Sequence, residues 1–271
     1  MTVATGSRVA WVVGGGSGIG AGAALALAAS GHTVIVSGRR DAELRDVAAA
    51  GDRSAGGRII ALPVDVAAAD GPGALAAAHE QIAAEHGPVT VLVYSAGTNT
   101  PQRYWADTSP ADFARVLDVN LTGAMRAIHT VLPGMRAGGN GLVILVSSWA
   151  AWRFAPTAGA AYSTSKTGLG VLAETLNVQE RDHGIRATHL CPGEVRTEIL
   201  KTRPVVPTDA EQALMLSPDD IGDVVRYLAA LPARVCVNEL VITPTSNTSY
   251  SAAHAAAQPA TEPAPSPANR K

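Results

Sequence analysis

The sequence predicts an α/β fold: a single doubly wound parallel sheet of about seven strands, with helices on both faces. Two observations carry this. Seven apolar runs, Val9–Val13, Thr33–Ser37, Ile59–Val64, Val89–Tyr94, Leu142–Ser147, Ile185–Leu190 and Leu240–Thr243, are near-continuous rather than alternating. Parallel strands covered on both faces read this way. Helical stretches such as Ile19–Ser30, Ala111–Arg136 and Ala161–His183 fill the gaps, as right-handed crossovers require.

Length and composition narrow the function classes. A chain of 271 residues suits one core and does not force a second domain. Its 21 basic and 23 acidic residues nearly cancel, so the electrostatic footprint of a nucleic-acid binder is missing. Aromatics, at 4%, are too few for a base-stacking platform. The two cysteines, Cys191 and Cys236, lie far apart and imply neither a metal nor a disulfide framework. The seven histidines form no two-His helical pattern, so no metal is expected.

Between Arg8 and Arg39 there is no charged side chain, a span long enough to suggest a membrane helix. Glycines from Gly14 to Gly22 and again at Gly31 cut it into strand, loop, helix and strand, which favours a soluble reading. Met1–Arg8 lacks the basic and apolar regions of a secretory signal, so a cytoplasmic protein with no membrane partner is expected. From Pro244 the composition turns to Pro, Ala, Ser and Thr. The chain is therefore divided into a folded domain at 1–243 and a tail at 244–271, expected to be disordered. A partner-reaching arm is the alternative for that tail.

Val13-Gly14-Gly15-Gly16-Ser17-Gly18-Ile19-Gly20 follows a strand and opens a helix. Glycines there allow a tight turn and let backbone N–H groups approach a pyrophosphate at the positive helix end. This makes the fold Rossmann-type, with Gly14, Gly16, Ser17, Gly18, Ile19 and Gly20 as dinucleotide contacts. At the end of the second strand, where an acid would bind an NAD ribose, the chain has Ser37-Gly38-Arg39-Arg40. A guanidinium fork matches a 2′-phosphate, so Arg39 and Arg40 favour NADP(H), with NAD(H) as the alternative.

Tyr162 and Lys166 are four residues apart in a helical segment and share a face. A free phenol with a pKa near ~10 is a poor acid or base at neutral pH, and a neighbouring ammonium favours phenolate. Of the five tyrosines, only Tyr162 has a lysine four residues on. Lysine is also against the habit of a chain whose 21 basic residues are mostly arginine. A compact point charge that also reaches sugar hydroxyls is what arginine does not supply.

With these motifs in view, residues from Arg8 to about Pro244 resemble the classical short-chain dehydrogenases/reductases. The glycine loop matches the family's cofactor loop, and Asp65-Val66 the pair that meets the adenine. Tyr94-Ser95-Ala96-Gly97 stands where the family usually has Asn-Asn-Ala-Gly, and Val13 where it usually has Thr. Asn120, in Val119-Asn120-Leu121-Thr122-Gly123, matches the asparagine that supports a relay water. Ser148 matches the serine that precedes the tyrosine, with Ser147 beside it as the alternative. Pro192-Gly193-Glu194-Val195-Arg196-Thr197 looks like the Pro-Gly motif beside the nicotinamide, bringing in Pro192, Gly193, Val195 and Thr197.

The resemblance implies an oxidoreductase acting on a carbonyl/alcohol pair of a small molecule. Ser148 would hold the substrate oxygen, and Tyr162 would give or take its proton as the nicotinamide gives or takes a hydride. Lys166 would lower the tyrosine's pKa and bind the nicotinamide ribose, and Asn120 would hold a water linking Lys166 to solvent. Related enzymes are homotetramers or homodimers built on two long helices, here Ala111–Arg136 and Ala161–His183. Seven of eleven aromatics fall near the expected site in sequence: Tyr94, Tyr104, Trp105, Trp149, Trp152, Phe154 and Tyr162. They suggest a hydrophobic substrate with Trp149 and Phe154 as contacts, packing of loop or interface being the alternative. Glu194–Ser217, rich in Pro, Thr and charge, reads as a lid over the cleft. Two rival readings are a non-catalytic dinucleotide sensor and a sugar-nucleotide dehydratase or epimerase. The set of Asn120, Ser148, Tyr162 and Lys166 speaks against the first, and the short region after the last strand against the second.

Overall fold

The computed structural model describes residues 8–51, 56–68 and 70–247. Its strands are β1 (Val9–Val13), β2 (Thr33–Ser37), β3 (Arg58–Ala61), β4 (Val89–Tyr94), β5 (Gly141–Val146), β6 (Ile185–Pro192) and β7 (Glu239–Ile242). They form one sheet, in the order β3-β2-β1-β4-β5-β6-β7, with every pair parallel. The helices are α1 (Gly18–Ala29), α2 (Asp41–Ala50), α3 (Gly71–His86), α4 (Pro110–Leu117), α5 (Gly123–Gly138), α6 (Trp149–Trp152), α7 (Ala160–Gln179), α8 (Asp209–Gln212) and α9 (Pro218–Ala230). Among the described residues no helix is long and apolar enough to cross a membrane.

The strands are apolar throughout because both faces are covered. Side chains alternate across each strand, so Val9, Trp11 and Val13 of β1 join a core with α3, α5 and α7. Ala10 and Val12 join the opposite core with α1, α2 and α9.

Three element boundaries depart from the sequence reading for physical reasons. The third strand ends at Ala61 rather than Val64, because Pro63 has no N–H for the ladder. The helix expected at Ala111–Arg136 is interrupted by a π-helical turn at Asp118–Thr122 between α4 and α5. The helix expected at Ala161–His183 stops at Gln179 and passes through a 3₁₀ turn to Gly184, whose φ of +69° ends it. The described residues continue four positions past the expected boundary at 243. Asn247 is buried, and Ser246 Oγ donates to the Leu214 carbonyl at 3.3 Å. The rest of the tail, from residue 248, lies outside the described residues, as do residues 1–7.

Helices α1 and α9 pack backbone against backbone. A Cβ at Gly22 would stand 2.3 Å from the Pro218 carbonyl oxygen, and one at Gly222 2.5 Å from the Gly22 carbonyl oxygen. Helix α1 is the one the glycine loop opens, so this contact fixes the loop's floor. Gly22→Ala is expected to lower the unfolding free energy by about 1–3 kcal/mol despite alanine's better helix propensity. Thermal unfolding checks this against Gly138→Ala, whose Cβ meets nothing within 4 Å and whose Tm should not fall.

Candidate active site

The order of the sheet reverses between β1 and β4, which leaves a crevice at the carboxyl ends of these strands. The loop after β1 turns back on β2, Gly14 N and Gly15 N both donating to the Ser37 carbonyl at 2.7 and 3.0 Å. Gly14 has φ +86°, and a Cβ there would lie 2.3 Å from Ala96 N, so the loop is pressed against Ser95–Gly97. Helix α1 starts at Ser17 with no side-chain cap and no acid in its first turn. Its first N–H groups and positive dipole end are thus left for an anion.

A cavity of about 340 Å³ opens here. Gly14, Gly16, Ser17, Gly18 and Ile19 form one wall, and Arg39, Arg40, Asp65 and Val66 another. Ala96, Gly97, Tyr162, Lys166 and Thr197 close the far end. Gly20 lies behind the wall, where a Cβ would meet the Gly14 carbonyl oxygen at 2.1 Å. The two arginines differ. Arg40 Nη2 donates to Ser17 Oγ at 2.9 Å and Nη1 pairs with Glu43 at 3.2 Å. Arg39 is exposed at the rim and has no hydrogen-bond or ion-pair partner among the described residues. Asp65 Oδ1 accepts from Ala67 N at 3.0 Å, so this acid also shapes its own turn. An uncapped helix end, a glycine cradle and a free guanidinium at the rim together fit a phosphorylated dinucleotide.

Helix α7 carries Tyr162 and Lys166 to the junction of this cavity with a second one of about 380 Å³. Lys166 is buried and its Nζ donates to the Val146 carbonyl at the end of β5, at 2.8 Å. Burial pulls its ammonium down to about 8. Burial pushes the Tyr162 phenol up, while a hydrogen bond with Ser148 and the charges of Arg103 and Arg203 pull it down. The expected lowering by Lys166 is therefore not what the geometry emphasises: its Nζ is 5.7 Å from the Tyr162 ring centroid and turned to Val146.

The π-helical turn aims Asn120 inward. Its Oδ1 accepts from Thr98 N at 2.7 Å, and its Nδ2 donates to the Thr98 carbonyl and to Ser165 Oγ, each at 3.0 Å. The two serines separate cleanly. Ser147 Oγ donates to the Lys166 carbonyl at 2.9 Å, whereas Ser148 Oγ accepts from Ala150 N at 3.2 Å and meets Tyr162.

The second cavity holds Ser148, Trp149, Tyr162, Leu200, Arg103 and Arg203 in its wall, together with Pro192, Gly193 and Val195. Phe154 is not part of its wall: the residue is 87% exposed. Tyr94 is also outside, fully buried in the core, where its hydroxyl donates to the Val119 carbonyl at 2.5 Å. That bond ties the end of β4 to the π-turn. The lid segment is folded over both cavities through Thr197, Ile199 and Thr202, with a 3₁₀ turn at Glu198–Thr202.

Strand pairing assembles one group that sequence spacing did not show. His189, Cys191 and Glu239 place ligand atoms within 4.8 Å of one another. His189 Nδ1 and Glu239 Oε2 already bond at 3.1 Å. Cys191 Sγ is nearly equidistant from both ring nitrogens, at 3.5 and 3.6 Å, so it faces neither lone pair. Burial pushes this thiol up to about 12.

Residues 8–205 match the family described as short chain dehydrogenase. The chain belongs to the short-chain dehydrogenase/reductase family. It is 38% identical to the short-chain reductase protein NovJ of Streptomyces niveus over 192 residues, 71% of each chain. It is 32% identical over 250 residues to the glycine betaine reductase ATRR of Emericella nidulans, covering 88% of this chain but only 19% of that longer protein. A metagenomic short-chain oxidoreductase solved in complex with NADP superposes with TM-score 0.73 and 29% identity, over 88% of this chain and 97% of that one.

In this short-chain dehydrogenase/reductase, sequence reasoning missed Arg103, Thr202 and Arg203, which lie in the wall of the second cavity. A lone arginine in a polar loop gives no periodicity or motif by which to find it. The lowered pKa of Lys166 makes a stability prediction. Because the folded state holds this proton less tightly than the unfolded chain, Lys166 weakens the fold below pH 8, and the penalty fades as pH rises from there toward 10.5. Lys166→Met is therefore expected to raise stability at pH 7 by up to about 3 kcal/mol, with the gain shrinking by pH 10. Denaturant titration at the two pH values measures it.

Proposed function

We propose that this short-chain dehydrogenase/reductase prefers NADP(H) and interconverts a carbonyl and an alcohol on a small molecule with an apolar body. The observation that carries the reading is the placement of Tyr162. It touches Ser148 in one cavity and closes the end of the glycine-loop cavity in the other. A bound nicotinamide dinucleotide supplies hydride transfer. Gly14, Gly16, Ser17, Gly18 and Ile19 would hold its pyrophosphate at the start of α1, and Asp65, Val66, Ala96 and Gly97 would line its adenine and ribose side. Pro192, Gly193, Val195 and Thr197 would flank the nicotinamide.

Arg39 supports the 2′-phosphate, being uncommitted where Arg40 is engaged by Ser17 and Glu43. Ser148 orients the substrate oxygen. Tyr162 moves the proton at that oxygen, and the buried Lys166 and its neighbour Asn120 hold the pocket polar and in register around it. Trp149, Ile199 and Leu200 supply the apolar wall for the substrate body. The protein is proposed to act in the cytoplasm as a homodimer or homotetramer. Exposed apolar residues Met125 on α5 and Val171 and Val178 on α7 support an interface on these helices.

Two variants test the reading. Tyr162→Phe should lower kcat by about 10²–10⁴-fold while NADPH binding, followed by fluorescence titration, stays nearly intact. Retained turnover would overturn the assignment. Arg39→Asp should weaken NADPH by about 10–100-fold and NADH far less. Equal losses for the two cofactors would remove the preference for NADP(H) and leave the enzyme class standing.

A further inference from the structure

The second cavity is more positive than its apolar lining suggests. Arg103 is buried, and its guanidinium makes four hydrogen bonds. Nε donates to the Thr100 carbonyl at 2.8 Å and Nη1 to the Thr157 carbonyl at 3.2 Å. Nη2 donates to the carbonyl and the hydroxyl of Thr202, at 2.8 and 3.0 Å. Every one of these acceptors is neutral. Among the described residues no carboxylate forms an ion pair with Arg103. A guanidinium has five N–H groups, so one on Nη1 is left over.

Arg203 lines the same cavity, with Nη1 2.9 Å from Glu194 Oε1. The wall thus sets two guanidinium groups against one carboxylate. Both lie near enough to Tyr162 for their charge to act on its phenol. A buried cation without an opposite charge is costly, and cavities that keep one are suited to an anion.

We propose that the substrate is a hydroxy acid, or the matching oxo acid, bound with its carboxylate against Arg103 and Arg203. Its reacting oxygen lies at Ser148 and Tyr162, and its apolar body lies along Trp149 and Leu200. This rests on the oxidoreductase reading above and names its substrate class. In the oxidative direction the carbinol carbon gives a hydride to the oxidised nicotinamide, the hydroxyl gives its proton to Tyr162 in its phenolate form, which becomes the phenol, and a carbonyl forms. The carboxylate is unchanged.

The test uses the purified full chain with NADP⁺ and a panel of 2- and 3-hydroxy acids, each beside its methyl ester. Esterification removes the charge and leaves the reacting alcohol in place. The acids should exceed their esters in kcat/KM by about 10–100-fold. Arg203→Gln should cost the acid about 10-fold more than the ester, mostly through KM. Esters turned over as well as acids, or equal losses in the variant, would overturn the proposal. Neutral ketones reduced by NADPH while no acid reacts would overturn it alone, leaving the oxidoreductase reading intact. No turnover of any compound would overturn both.

Discussion

The side-chain amide of Asn120 is the joint on which the site stands. Its three hydrogen bonds link the loop after β4, through both backbone groups of Thr98, to Ser165 on α7. Ser165 lies between Tyr162 and Lys166, and donates to the Tyr162 carbonyl at 2.8 Å. The loop after β4 and the helix that carries Tyr162 and Lys166 are thereby held at one fixed spacing. An ordinary α-helix would carry residue 120 past this position. The π-turn at Asp118–Thr122 delivers it, at the expense of regular helical hydrogen bonding. Tyr94 anchors the same turn from the other side through the Val119 carbonyl.

Around this joint the protein buries cations without opposite charges beside them. Lys166 is buried against a carbonyl, and Arg103 is buried among four neutral acceptors. Neither has a carboxylate partner among the described residues, and burial lowers the pKa of both. A core built for stability alone would not be expected to hold such groups. Arg103 also joins three chain segments, through Thr100, Thr157 and Thr202, so the cleft wall depends on the charge it encloses.

Much of this was legible in the residues. Parallel strands covered on both faces leave apolar runs that need no partner to be recognised, and all seven were found within a few residues. The glycine loop between a strand and a helix, and the four-residue spacing of Tyr162 and Lys166, are local patterns that drew attention to these residues, and the family resemblance gave them their roles. What escaped depends on distant parts of the chain. Arg103 acquires meaning only when Thr202, 99 residues away, folds over it. Phe154 sits near Trp149 in sequence, yet the short helix α6 ends between them and the backbone turns its ring outward. The π-turn is invisible to periodicity because the apolar pattern runs smoothly through it. The group at His189, Cys191 and Glu239 exists only through the pairing of β6 with β7.

The two cavities share a wall: Ile19, Ser147, Tyr162, Thr197, Ile199 and Thr202 border both. A ligand in either compartment therefore presses on groups that the other must use. Thermodynamic linkage makes such coupling reciprocal, so whatever one occupant adds to the other's affinity is returned in equal measure. Thr202 belongs to this partition: Arg103 donates to its carbonyl and its hydroxyl, and the residue also borders the glycine-loop cavity. An occupant of one cavity is thus felt in the other through the side chains they hold in common.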